Sequence, residues 1–233
     1  MTASLVQLEQ APDLVERVYR ALLDAISAGK VAPGDRLTQE DIAARLAVSR
    51  QPVLQALRLL KREGLVVDAP GRGVLVAPLD GERIAQVYQV RGVLDALAAR
   101  RAAERRATID PKLIEHGRRA ARGKDIGAMV DADIAFHNAI YAASANPLIA
   151  QSAHLHWVHL RRVMAAVLRE SRQRETLWDE HEKIARAIAR GDADRAAALI
   201  EHHARQASEN LLARLADVLH RQTRPPPQQR GMP

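Results

Sequence analysis

Apolar residues recur at helical spacing through Leu14, Val15, Val18, Leu22 and Ile26, which predicts a first helix over Leu14–Ser27, closed by Gly29. Pro33-Gly34-Asp35 reads as a turn. Thr38 opens a second helix as its N-cap, Asp41 completes a capping box, and Ile42, Ala43 and Leu46 are its inward positions. After a break at Ala47-Val48, Ser49 is the expected N-cap of a third helix. That helix shows Val53, Leu54, Ala56, Leu57 and Leu60 on one face up to Glu63, with Gly64 as its stop. The period then changes. Leu65-Val66-Val67 and Val74-Leu75-Val76 read as two strands joined by residues 68–73, which hold one Pro and two Gly. Gly71-Arg72-Gly73 has no helix behind it and no lysine-serine pair, so it is a turn and not a phosphate loop.

Three helices and a β-hairpin in about 65 residues is the order of a winged helix-turn-helix. The boundaries expected are 1–78 for this unit, 79–82 for a linker that begins in the Pro78-Leu79-Asp80-Gly81 stretch, 83–222 for a second, all-helical unit and 223–233 for a disordered tail rich in Pro and Gln. Residues 1–10 are expected to fray. In the second unit six helices are predicted, over roughly 82–106, 110–122, 125–144, 147–170, 174–190 and 192–221. They are punctuated by Asp110-Pro111, Asn146-Pro147 and Gly191-Asp192. The fold class expected is mainly α, the winged unit being followed by an antiparallel six-helix bundle.

Composition narrows the function. Phe, Trp and Tyr make up 3% of the chain, too few for the stacking platforms of single-strand readers. Cysteine is absent, which removes disulfides and thiolate metal sites. No segment approaches the ~20 apolar residues of a membrane span and no leader is visible, so a cytoplasmic protein without membrane contact is expected. The net charge of +7 is not concentrated in the winged unit: residues 1–78 carry 10 basic and 9 acidic residues. Clustering matters more. Residues 49–62 contain Arg50, Arg58, Lys61 and Arg62 and no acid, a local footprint for duplex phosphates.

In this type of unit the third helix enters the major groove by its N-terminal end. The candidate readers there are Ser49, Arg50, Gln51 and Gln55. Arginine matches guanine and glutamine matches adenine bidentately, and a serine hydroxyl suits phosphate. Thr38 and Arg58 join them as candidate DNA contacts, and Arg72 at the wing tip is placed for phosphate or the minor groove. Arg58, Lys61 and Arg62 are equally compatible with a solvated helix back. The run PGDRLTQEDIAARLAVSRQPVLQALRLLKREGLV, followed by GRGVLVAPL, resembles the DNA-binding domain of the GntR family of bacterial regulators over about residues 12–78. Leu54 and Glu40 depart from it, since the family usually has arginine at the first position and some members at the second. The resemblance thus implies the mode of binding and leaves the operator sequence open.

In the helical unit Asp133 and His137 stand one turn apart beside Phe136 and Ile140. His181 shares a face with Ile184 and Ile188, and His203 aligns with Leu199 and Ala196. One carboxylate and three imidazoles on apolar faces make a set suited to a divalent ion such as Zn, Ni or Mn. The competing account is of histidines each hydrogen-bonded singly. The segments DADIAFHNAI, ANPLI and EHEKIARAIARGDADRAA with the following EHHA resemble the FCD effector domain of FadR-type GntR regulators over about residues 82–216, and six helices bring it nearest the VanR-like branch. The resemblance implies a metal on Asp133, His137, His181 and His203, with His202 as the rival for the last place. It also implies a small carboxylate effector held by the metal and nearby cations, on a homodimer bound to a palindromic operator as a repressor. Arg91, on the apolar stripe of Ile84, Val87 and Leu94, is the first candidate for that cation, and Arg162 the second. His154, His156 and Trp157 read as surface or packing residues. Two other classes compete. A metal-dependent hydrolase is disfavoured because Ala185 stands where a zincin needs its second histidine. An architectural DNA binder with a structural bundle would show little operator preference.

Overall fold

The computed structural model describes residues 14–168 and 176–223. The expectations for residues 1–10, for 169–170, for 174–175 and for the tail beyond 223 lie outside them. The chain divides into two compact units, one ending at Pro78 and the other beginning at Leu79.

In the first unit α1 (Leu14–Ser27) buries Val18, Tyr19, Leu22, Leu23 and Ile26, and packs against α3 (Arg50–Arg62). Between them α2 (Gln39–Leu46) starts where expected. The Thr38 hydroxyl accepts from the Asp41 amide at 3.2 Å and donates to the Asp41 carboxylate at 2.7 Å. Ile42 and Ala43 are buried, but Leu46 is 38% exposed. The helix ends there, and Ala47 in the left-handed region turns the chain before Leu46 reaches the core. Ser49 occupies the N-cap position of α3, yet its side chain makes no capping hydrogen bond. The fully buried Val53, Ala56 and Leu60 anchor α3, each large one of them stabilising the unit by roughly 1.5–3 kcal/mol.

The hairpin is β2 (Val66–Asp68) with β3 (Val74–Val76), shifted by one residue from the expected first strand. A third strand, β1 (Arg36–Leu37), was not predicted and pairs with the other side of β3, giving the order β1-β3-β2. Two residues are too short for any periodicity to register. Arg36 also fixes the wing by donating to the carbonyls of Pro70 (3.0 Å) and Arg72 (2.6 Å). Gly73 is required twice over: its φ is +90°, and a Cβ there would run into the Leu37 carbonyl of β1.

The second unit consists of α4 (Gly81–Glu104), α5 (Pro111–Arg122), α6 (Ile126–Ala143), α7 (Pro147–Val167), α8 (Thr176–Arg190) and α9 (Ala193–Thr223). The linker is shorter than expected, because the Asp80 carboxylate caps α4 by accepting from the Glu82 and Arg83 amides. Asp110 and Asn146 cap α5 and α7 ahead of their prolines. α4 packs mainly on α9, with small buried residues on both helices (Ala98, Ala99 and Ala102; Ala196 and Ala197) and with Gly92 facing Ala204. The core continues through Phe136, Ile140, Leu160, Ile184 and Ile200, all fully buried. At Gly117 a Cβ would overlap the indole of Trp178, so the glycine lets α8 seat that ring against α5. No helix among the described residues is long and apolar enough to cross a membrane.

Candidate DNA-reading surface and metal centre

In the first unit three of the expected DNA contacts, Thr38, Arg50 and Arg72, line one exposed cleft. It is lined by Thr38, Gln39 and Glu40 at the start of α2, Arg50 at the start of α3, and Arg72 and Gly73 in the wing. Ser49, Gln51 and Arg58 are also exposed on α3, and Gln55 is half-buried one turn behind Gln51. The Arg50 guanidinium lies 3.0 Å from the Glu40 carboxylate, both largely in solvent. Lys61 is tied to Asp68 of the hairpin at 2.6 Å.

In the second unit Asp133 and His137 project from α6, His181 from α8 and His203 from α9. All four are buried, and one donor atom of each lies within 4.8 Å of the others. The His181 and His203 Nε2 atoms face each other at 3.3 Å, and Asp133 Oδ1 is 3.4 Å from His181 Nε2. Donors bound at about 2.1 Å in a tetrahedron stand roughly 3.4 Å apart, so these spacings fit a single ion. Two of the three rings carry a carboxylate behind them. His203 Nδ1 donates to Glu180 at 2.8 Å, and His137 Nδ1 faces Asp95 at 3.6 Å. The Glu180 partner sets the His203 tautomer that leaves its Nε2 free to coordinate, whereas His137 Nε2 faces Arg91, a contact that an ion on this ring would displace. His181 has no partner at Nδ1; Phe136 stacks on it at 4.2 Å and Trp178 meets it edge-on at 4.6 Å. Asp133 Oδ1 is buried and accepts no hydrogen bond from the described residues, which leaves it open to an ion. His202, by contrast, is exposed beside Arg205.

Burial, reinforced by the Arg91 charge, lowers the pKa of His137. Burial with the neighbouring His203 and His137 lowers that of His181 further. Both imidazoles are therefore neutral, the form a metal requires. Arg91 is buried beside them. Its Nη2 donates to His137 Nε2 at 2.9 Å, its plane lies 3.8 Å over the Trp157 ring, and its Nε is 3.1 Å from Asp95 without being aligned as a hydrogen bond. Tyr141 donates to the other Asp95 oxygen. Burial opposes ionisation of Asp95, but Arg91 and His137 outweigh it and hold its pKa at about 2.

Residues 14–76 match the family model for bacterial regulatory proteins of the gntR family, and residues 86–206 match the FCD domain. The chain belongs to the GntR family. This GntR regulator is 31% identical to the HTH-type transcriptional regulator LutR of Bacillus subtilis over 208 residues, which cover 76% of the chain and 92% of LutR. A GntR regulator structure from Rhodococcus sp. RHA1 superposes with a TM-score of 0.72 at 28% identity, over 85% of this chain and 97% of that one. The HTH-type transcriptional repressor RspR of Escherichia coli is 32% identical over 97 residues, 42% of each chain. The GntR regulator is thus a DNA-binding transcription regulator and not an enzyme.

Beside its donor cluster the FCD domain of this GntR regulator contains a cavity of about 150 Å³, with Asp133 and Trp178 in the wall and Asn210 and Arg214 of α9 as its further polar lining. Arg91 is buried, as its place on an apolar stripe implied, and so is Arg162, but neither lines this cavity. Asn210 and Arg214 went unnoticed in the sequence, although they follow His203 by seven and eleven residues on the stripe that also carries Ala207. Trp157, read only as packing, forms the face under Arg91, and Asp95, Tyr141 and Glu180 complete the surroundings of the rings.

Proposed function

We propose that the protein is a metabolite-responsive repressor, acting in the cytoplasm as a homodimer on a palindromic operator, whose affinity is set by a small carboxylate bound at a metal centre in the helical unit. The observation that carries this reading is the convergence of Asp133, His137, His181 and His203 in a buried site with carboxylates behind two of the rings. A carboxylate and neutral imidazoles fit Zn, Ni or Mn. When bound, such an ion supplies the positive charge that neutralises Asp133 and a coordination position for a carboxylate oxygen. Arg91, held by Asp95 and Trp157, keeps a second positive charge beside the cluster; Arg162, buried on α7, is the second candidate cation.

On the DNA side, Arg50 with Gln51 and Gln55 supplies base-edge donors and acceptors. Ser49, whose hydroxyl is not spent on capping, leaves the α3 amides open to phosphate together with Thr38, Arg58 and Arg72. The dimer is supported by Val90, Val93 and Leu97, which line one exposed side of α4 and fit the same stripe of a second copy. Repression is argued from RspR, named a repressor, over the part it shares. A gel shift on the chain's own upstream DNA tests the reading. Selective binding is expected, released by a small acid in zinc-loaded protein only, and Arg50→Ala should lose ~1–3 kcal/mol of affinity for the operator. Equal binding to unrelated duplex, unmoved by any acid, would favour an architectural role instead.

A further inference from the structure

The cavity beside Asp133 says what kind of acid it takes. Its wall is formed mainly by Met129, Met164, Leu168, Leu177, Trp178 and Leu211, with Tyr88, Asn210 and Arg214 among the few polar groups. We infer that the effector is a short monocarboxylate with an unsubstituted aromatic or branched aliphatic body, its carboxylate matched by Arg214 and its body seated against the methionines, leucines and Trp178. This rests on the reading of the helical unit as a metal-dependent acid sensor and adds the ligand class and the residues that choose it.

Size, polarity and charge each constrain the class. The mainly apolar cavity of about 150 Å³ has room for a six-carbon ring or a branched four- to five-carbon chain. Hydroxyls carried on the ligand body would meet methionine thioethers and leucine methyls, and each would lose its water without gaining a partner. Methionine adapts to a planar or branched surface alike, so the wall selects for apolarity more than for one outline. Among the described lining residues Arg214 is the one cation. Half-buried, it has no acidic partner among the described residues, so its fork is available to one carboxylate. A second carboxylate that did not reach the ion at Asp133 would lie in the apolar wall uncompensated. Asp133 in the same wall repels any anion until its charge is neutralised, which ties acid binding to ion loading.

Isothermal titration of the full-length zinc-loaded protein with benzoate, isovalerate, succinate and gluconate tests the inference. Benzoate and isovalerate are expected to bind at least tenfold more tightly than succinate and gluconate. Arg214→Gln should weaken benzoate binding at least tenfold with zinc stoichiometry unchanged, and Met164→Gln should narrow the preference for benzoate over gluconate. Succinate or gluconate binding as tightly as benzoate would overturn the ligand class while leaving the acid-sensing reading intact. Undiminished benzoate binding by Arg214→Gln would remove Arg214 from the site. If none of the four acids binds the zinc-loaded protein, the sensor reading and this inference both fail.

Discussion

Among the described residues both units hold exposed cation–carboxylate pairs, and the helical unit also buries one. In the winged unit Lys61–Asp68 (2.6 Å) and Arg50–Glu40 (3.0 Å) sit in solvent; in the helical unit Arg91–Asp95 (3.1 Å) is buried to 3% and 0% exposure. The shortest pair is the least consequential. Water and salt screen the exposed charges, so their pairing is worth about 0–1 kcal/mol and they remain free to exchange partners, as a surface that meets DNA phosphates must. The buried pair cannot be exchanged without stranding a charge. Asp95→Asn is therefore expected to destabilise the helical unit by about 3–5 kcal/mol, while Asp68→Asn changes stability by less than ~1 kcal/mol. Urea denaturation of the two variants measures both. Equal losses would break the contrast.

A second difference is in titration. In chelator-treated protein His137 and His181 are held below their ordinary value of about 6.5, chiefly by burial. The unfolded chain then binds more protons than the native one between the native and unfolded pKa values. Stability consequently rises with pH through that window and is lost as pH falls below about 6.5, by up to ~1.4 kcal/mol per pH unit for each histidine. Zinc at ~100 times its Kd should add about 2.7 kcal/mol at neutral pH, and this too should fade on acidification as protons compete for the ligands. Thermal unfolding from pH 7.5 to 5.5, with zinc and with chelator, reads both trends. A flat profile without zinc would mean that the rings are not neutral and buried together.

What the sequence makes legible follows the range of the interaction. Caps and breaks are local, so Thr38 with Asp41, Asp110-Pro111 and Asn146-Pro147 announce their helices directly. Helix faces are regular, and the periodicity of α6, α8 and α9 brings Asp133, His137, His181 and His203 to the same interior, with His203 and not His202 inside. Strand β1 escapes because two residues carry no period, and the Leu46 position fails because the helix ends under it. Asp95, Tyr141 and Glu180 are invisible for another reason. Each is an ordinary residue on its own helix, and its place around the rings comes through a partner on another helix, 23 to 46 positions away. Arg91 illustrates the same limit: a charge on an apolar stripe signals a need for a partner, and the sequence does not say that Asp95, one turn on, already meets part of it.

The smallest effect bears on the exposed side of the contrast. Glu40 stands in the cleft with Thr38, Arg50 and Arg72, and an acid there both neutralises Arg50 and repels phosphate. Its side chain is 58% exposed and that of Arg50 68%, so neither is locked by packing and the pair acts through its field. Glu40→Gln should then tighten binding to the operator and to unrelated duplex alike, by roughly two- to fivefold at ~50 mM salt, with the gain shrinking toward nothing at ~0.5 M. Fluorescence anisotropy across a salt series measures it. A weakening confined to the operator would mean that Glu40 holds Arg50 in its reading pose, and the winged unit would then share with the helical one a charge pair that works by position.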